Sequence, residues 1–140
     1  MPSVTAETTR LVLPSRIESV EQAAAAAEEL AKRSGLSPEA AYGVDMALRE
    51  AVGNAVVHGN KRDENKNVTI TFTSSPGALE IEVSDQGSGF DIASIPDPTA
   101  EENVLKTSGR GIFFMRTFMD EVTYSKTDEG GTTVRMKKLS

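Results

Sequence analysis

The chain contains no cysteine and no tryptophan, and only 5% of its 140 residues are aromatic. Without thiols there can be no disulfide staple and no thiolate metal site, so packing alone must hold the fold. With so few rings, the core has to be built from aliphatic side chains. No apolar run approaches the roughly 18 residues that span a bilayer. The opening "MPSVTAETTR" has neither a basic n-region nor an apolar h-region, so no secretory signal is read there. A cytoplasmic chain with no membrane partner is expected. Cations are the minority charge, and the net charge of −6 argues against a direct nucleic-acid surface. What is present is ordinary for a globular domain: 38% hydrophobic and 26% charged residues, enough for one core in a single domain over 1–140.

The apolar run "RLVLP" reads as a strand closed by Pro14. Ser15 and Glu18 have the spacing of a capping box, and behind them Ile17, Val20, Ala24, Ala27, Leu30 and Ala31 recur at helical intervals up to Gly35, a C′ glycine. Ser37-Pro38 supplies a cap and a first-turn proline for a second helix running to about His58. Two alternating strands follow, with Val68, Ile70 and Phe72 on one face of the first and Leu79, Ile81 and Val83 on one face of the second. The loop "SSPGA" joins them. From Asp85 to Gly111 the periodicity dissolves, and a stretch this long reads as a functional loop or lid. A short helix, "GIFFMRTFM", and two closing strands, "EVTYSK" and "TTVRMKK", complete the chain. One-sided strands beside amphipathic helices predict an α+β, two-layer sandwich with a mixed, mostly antiparallel sheet covered on one face.

Three clusters carry chemistry. On the second helix Val44, Leu48, Ala51 and Ala55 share a narrow sector. With Glu50 at zero, Asn54 lies at about 40° and His58 at about 80°, beside an apolar sector centred near about 130°. This acid and amide stripe therefore borders the buried face, where polar groups need partners. The second cluster, "SDQGSGFD", puts Asp85 at a strand end ahead of Gly87 and Gly89. The third, "SGRGI", puts Gly109, Arg110 and Gly111 at a helix start, where exposed N–H groups can seat an anion. Each alone could be a helix edge or a turn. Their order matches neither the P-loop nor the Rossmann fingerprint.

Together, "LREAVGNAVVHG", "VSDQGSGF", "GRGIFFMRTFMDEV" and "GTTVRMKK" resemble the GHKL (Bergerat-fold) ATP-binding superfamily. Within it they look like the small bacterial anti-sigma-factor serine kinases. The resemblance implies an ATP- and Mg²⁺-dependent protein serine/threonine kinase that phosphorylates an anti-sigma-factor antagonist. Glu50 would be its catalytic base and Asn54 its magnesium ligand. Asp85 would receive the adenine amino group, Gly87 and Gly89 would shape the pocket floor, and Gly109 and Gly111 would approach the phosphates. Arg110 is a candidate phosphate contact, with solvent as its other possibility. His58 is expected to close its helix rather than to take part in chemistry. Comparable kinases can carry an arginine or acid just ahead of the second glycine pair. Here that run is "LKTSGRG", with Lys106 the nearest upstream cation. A lid is expected over about 91–108. The implied partners are a STAS-type antagonist, a sigma factor or comparable regulator, and a second copy of the chain. The alternative function is a nucleotide-gated binding module that sequesters a partner without phosphoryl transfer. A histidine kinase catalytic domain and a gyrase-like ATPase are less expected, since no phosphoacceptor helix pair or transducer segment is seen.

Overall fold

The computed structural model describes residues 6–60, 63–86, 115–127 and 131–139. The expected lid at about 91–108, and with it Gly87, Gly89, Lys106, Gly109, Arg110 and Gly111, lies outside the described residues. Five strands, β1 (Glu7–Pro14), β2 (Asn67–Ser75), β3 (Ala78–Ser84), β4 (Glu121–Lys126) and β5 (Thr132–Leu139), form one sheet in the order β1-β2-β3-β5-β4. All four pairings are antiparallel, so the parallel component of the expected mixed sheet is not seen among the described residues. Two helices, α1 (Glu18–Arg33) and α2 (Pro38–Asn54), cover one face. The two-layer α+β sandwich is the architecture observed.

Strand alternation sorts the layers. Val68, Ile70 and Phe72 of β2, Leu79, Ile81 and Val83 of β3, and Val134 and Met136 of β5 are buried beneath the helices. The other face is polar. There Glu82 stands opposite Arg135 in register, and the Arg135 guanidinium is paired with that carboxylate. The helices meet the sheet and each other largely through alanines: Ala23, Ala24, Ala27 and Ala31 from α1, and Ala40, Ala47 and Ala51 from α2. Such short side chains let α1 and α2 pack closely, which is how a core with few rings fills its space. Among the described residues no helix is long and apolar enough to cross a membrane.

The helix ends follow local chemistry at two of four points, the end of α1 and the start of α2. Helix α1 closes on Gly35, whose φ of 75° is the left-handed backbone that glycine adopts without a Cβ penalty. The Gly35 N–H donates to the Lys32 carbonyl and the Leu36 N–H to the Ala31 carbonyl, the paired bonds of a Schellman motif. Helix α2 starts on Ser37, whose hydroxyl accepts the Ala40 N–H at 3.1 Å. It does not continue as one α-helix to His58. It ends at Asn54 and widens into a π-helical turn over Ala55–Gly59, in which the Asn60 N–H reaches back to the Ala55 carbonyl at 2.8 Å. The start of α1 departs from expectation: its cap is Ile17 and no side chain caps it. Ser15 is buried, and its hydroxyl donates to the Lys66 carbonyl at 2.7 Å. A partner 51 residues away has taken the group that the capping box would have used. Between β2 and β3, Pro76 precedes Gly77 at φ 77°, the sequence and conformation of a type II turn.

Candidate functional site

A concavity opens between the C-terminal half of α2 and the inner face of the sheet. It is lined by Ala51, Asn54 and Ala55 from the helix side, and by Val83, Asp85, Tyr124, Thr132 and Val134 from the sheet side. Its lining is mostly apolar, with Asn54, Asp85 and Thr132 as polar groups, the usual composition of a small-molecule site. Asn54 and Asp85, 31 positions apart in the sequence, are brought together here. Both are where their elements had to put them. Asn54 ends α2 on the edge of its buried face, half-exposed beside buried Ala51 and Ala55. Asp85 is the first residue past β3 and is only 6% exposed.

Asp85 is tied to β5 by a reciprocal pair of contacts. Its N–H donates to the Thr132 carbonyl at 3.0 Å, and its Oδ1 accepts the Thr132 N–H at 3.1 Å. A buried carboxylate held by a backbone donor is oriented as well as stabilised. The Thr132 side chain is different. Its Oγ1 is the buried side-chain polar atom that has no hydrogen-bond partner among the described residues. A buried hydroxyl left so costs about 1–3 kcal/mol, and this one lies beside Asp85 on the wall of the concavity. Thr132 stands in the run "GTTVRMKK", whose family resemblance by itself assigns that residue no role. The clue available there was a polar residue in the inward register of an otherwise apolar strand.

Glu50 lies one turn before Asn54 on α2 and is half-buried. Its carboxylate is close enough to Tyr124 to act on it. Burial, and then the Glu50 charge, push the Tyr124 hydroxyl well above the ordinary tyrosine range, while Arg116 opposes them. Tyr124 is a second wall residue, with no motif to mark it in the sequence. Arg49, adjacent to Glu50, is engaged elsewhere: its Nε bonds both Asp45 carboxylate oxygens at 3.0–3.1 Å and its Nη1 bonds Glu21 of α1. It braces the two helices and does not face the concavity. His58 falls in the π-helical turn, and its side chain lies outside the described residues.

Residues 13–138 match the family model described as the histidine kinase-like ATPase domain. The chain is 30% identical over 136 residues to the serine-protein kinase RsbW of Listeria monocytogenes serovar 1/2a, spanning 93% of this chain and 86% of that protein. It is 37% identical over 97 residues to the anti-sigma F factor of Clostridium botulinum strain Eklund 17B, spanning 68% of each. In fold it is similar to a solved Mycobacterium tuberculosis structure containing RsbU and RsbW domains. That similarity has a TM-score of 0.68 at 18% identity, over 95% of this chain and 32% of the other.

Proposed function

The chain belongs to the histidine kinase-like ATPase family, and we propose that it is an ATP-dependent protein serine/threonine kinase of a partner-switching pathway. In this reading it restrains a sigma factor or comparable regulator and phosphorylates the STAS-type antagonist that competes for it. The whole chain, 1–140, would act as one domain, alone or as a homodimer. The observation that carries the reading is the convergence on one concavity of Asn54, Asp85 and the Thr132 hydroxyl, which has no partner among the described residues. It occurs in a chain 30% identical to a protein named as a serine kinase.

The donor set fits a nucleotide. The Asp85 carboxylate accepts from an exocyclic amino group, and the Thr132 hydroxyl can donate or accept at the neighbouring ring position, so the pair selects adenine. The Asn54 carboxamide oxygen suits a hard cation that keeps water and phosphate oxygens as its other ligands. Mg²⁺, when bound, would supply charge neutralisation on the phosphates. Glu50 would take the proton from the attacking serine hydroxyl. Gly87, Gly89, Gly109 and Gly111 would admit the nucleotide closely, with Lys106 and Arg110 as candidate phosphate contacts.

The test is copurification from the native host, followed by incubation of the complex with γ-labelled ATP and Mg²⁺. Label on a serine or threonine of the copurified antagonist is the expected result. Nucleotide binding without label on any copurified protein would leave a nucleotide-gated binding module in its place.

A further inference from the structure

The π-helical turn at the end of α2 does more than terminate a helix. By widening the last turn it brings Gly59 and Asn60 against the strand end that carries Asp85. A Cβ built on Gly59 would lie 2.1 Å from Asp85 Oδ2 and 2.4 Å from its Cγ. No real side chain tolerates such distances. On the other flank, a Cβ on Gly131 would lie 2.2 Å from the Asp85 carbonyl oxygen. Asp85 is thus held between two glycines, one against its carboxylate and one against its backbone.

Asn60 completes the frame. It is 1% exposed, and its side chain is fully used. Its Nδ2 donates to Ser15 Oγ at 2.6 Å and to the Asn67 carbonyl at 3.0 Å. Its Oδ1 accepts the Gln86 N–H at 2.8 Å. The residue after Asp85 is therefore pinned to the same turn that presses on the Asp85 carboxylate. A buried amide bonded through both its nitrogen and its oxygen fixes one arrangement, and π-helical turns recur at functional sites.

We propose that Gly59 and Asn60 are positioning residues for base recognition: they set the Asp85 carboxylate at the depth and angle that distinguish adenine from other purines. The inference rests on the reading of Asp85 as the adenine contact. Gly59 acts by what it lacks. Any side chain there displaces the carboxylate, because the atoms it would meet belong to a short, buried group that is also bonded to Thr132.

The test compares wild type, Gly59→Ala, Asp85→Gly and the double variant, using calorimetric titration with ATP and with inosine triphosphate. The 6-oxo group of inosine accepts where the adenine amino group donates. Gly59→Ala is expected to stay folded and lose about tenfold or more in ATP affinity, in the range of a mismatched buried polar contact. Its preference for ATP over the inosine nucleotide should fall toward one. In the Asp85→Gly background, where the obstructing atoms are gone, the same alanine should change neither affinity nor preference. That non-additivity is what a residue acting through Asp85 must show. If Gly59→Ala alone does not fold, the melting temperature decides: recovery in the double variant to the Asp85→Gly value supports the contact, and no recovery overturns it. A folded Gly59→Ala that keeps full ATP preference, while Asp85→Gly loses it, overturns the positioning role alone. If Asp85→Gly keeps its preference for ATP, the adenine assignment itself fails.

Discussion

Tyr124 and Thr132 are the two wall residues whose own chemistry makes the concavity measurable without a partner protein. Burial and the nearby Glu50 charge raise the Tyr124 hydroxyl pKa, so the folded chain holds that proton more tightly than the unfolded one. The stability this provides is complete below the ordinary tyrosine value of about 10 and is lost as the pH climbs above it. Urea denaturation between neutral pH and pH 11 should therefore show a fall in stability for wild type that Tyr124→Phe reduces. Equal falls in the two proteins would remove the coupling. Thr132 makes the opposite bargain. Thr132→Val keeps the shape and deletes a buried hydroxyl with no partner among the described residues, so it should raise the melting temperature while weakening ATP binding. The gain is bounded by about 1–3 kcal/mol, the cost of an unmet polar group. Asp85→Asn tests the same rim from the other side. It should weaken ATP binding by a similar magnitude in a folded protein, since the amide presents a donor where an acceptor is needed. Unchanged affinity would free Asp85 from the base.

At the scale of elements, α2 has two interior glycines in different settings. A Cβ on Gly53 would meet nothing within 4 Å, whereas one on Gly43 would sit 3.0 Å from the backbone oxygen of Phe118. Gly53→Ala should therefore stabilise the protein by about 0.5–1 kcal/mol through helix propensity. Gly43→Ala should show no gain, or a loss, because the atom in its way is backbone and cannot swing aside. Thermal melts of both variants would check the order, and a Gly43→Ala protein more stable than Gly53→Ala would contradict it. The elements themselves were largely legible. The Ser37-Pro38 start, the Gly35 stop and the period-2 faces of β2 and β3 all depend on neighbours within a few residues. Ser15 is no cap because its partner is the Lys66 carbonyl, just ahead of the neighbouring strand β2, and local spacing cannot show that. The π-helical turn was invisible for the same reason. It ends where Asn60 takes its seat among Ser15, Asn67 and Gln86, partners that local spacing does not show.

Over the whole molecule, the fold follows from a short argument: alanine-faced helices against one face of a five-stranded antiparallel sheet. The site follows from where that sheet ends beneath α2. Asn54 and Asp85 could be anticipated because each carried a recognisable neighbourhood. Thr132 offered one local clue, its polar side chain in the inward register of β5; Gly59, Asn60 and Tyr124 offered none, since their importance comes from contacts between distant elements. The central claim is phosphoryl transfer by this constellation, and Glu50→Gln tests it most directly. The substitution keeps volume and hydrogen bonding and removes basicity. The measurement is paired: ATP affinity by titration, and the rate of label transfer from γ-labelled ATP to the copurified antagonist. Affinity within a few-fold of wild type, with transfer reduced about 10²–10⁴-fold, is the predicted result for a general base. Transfer at the wild-type rate by a folded Glu50→Gln protein would contradict it.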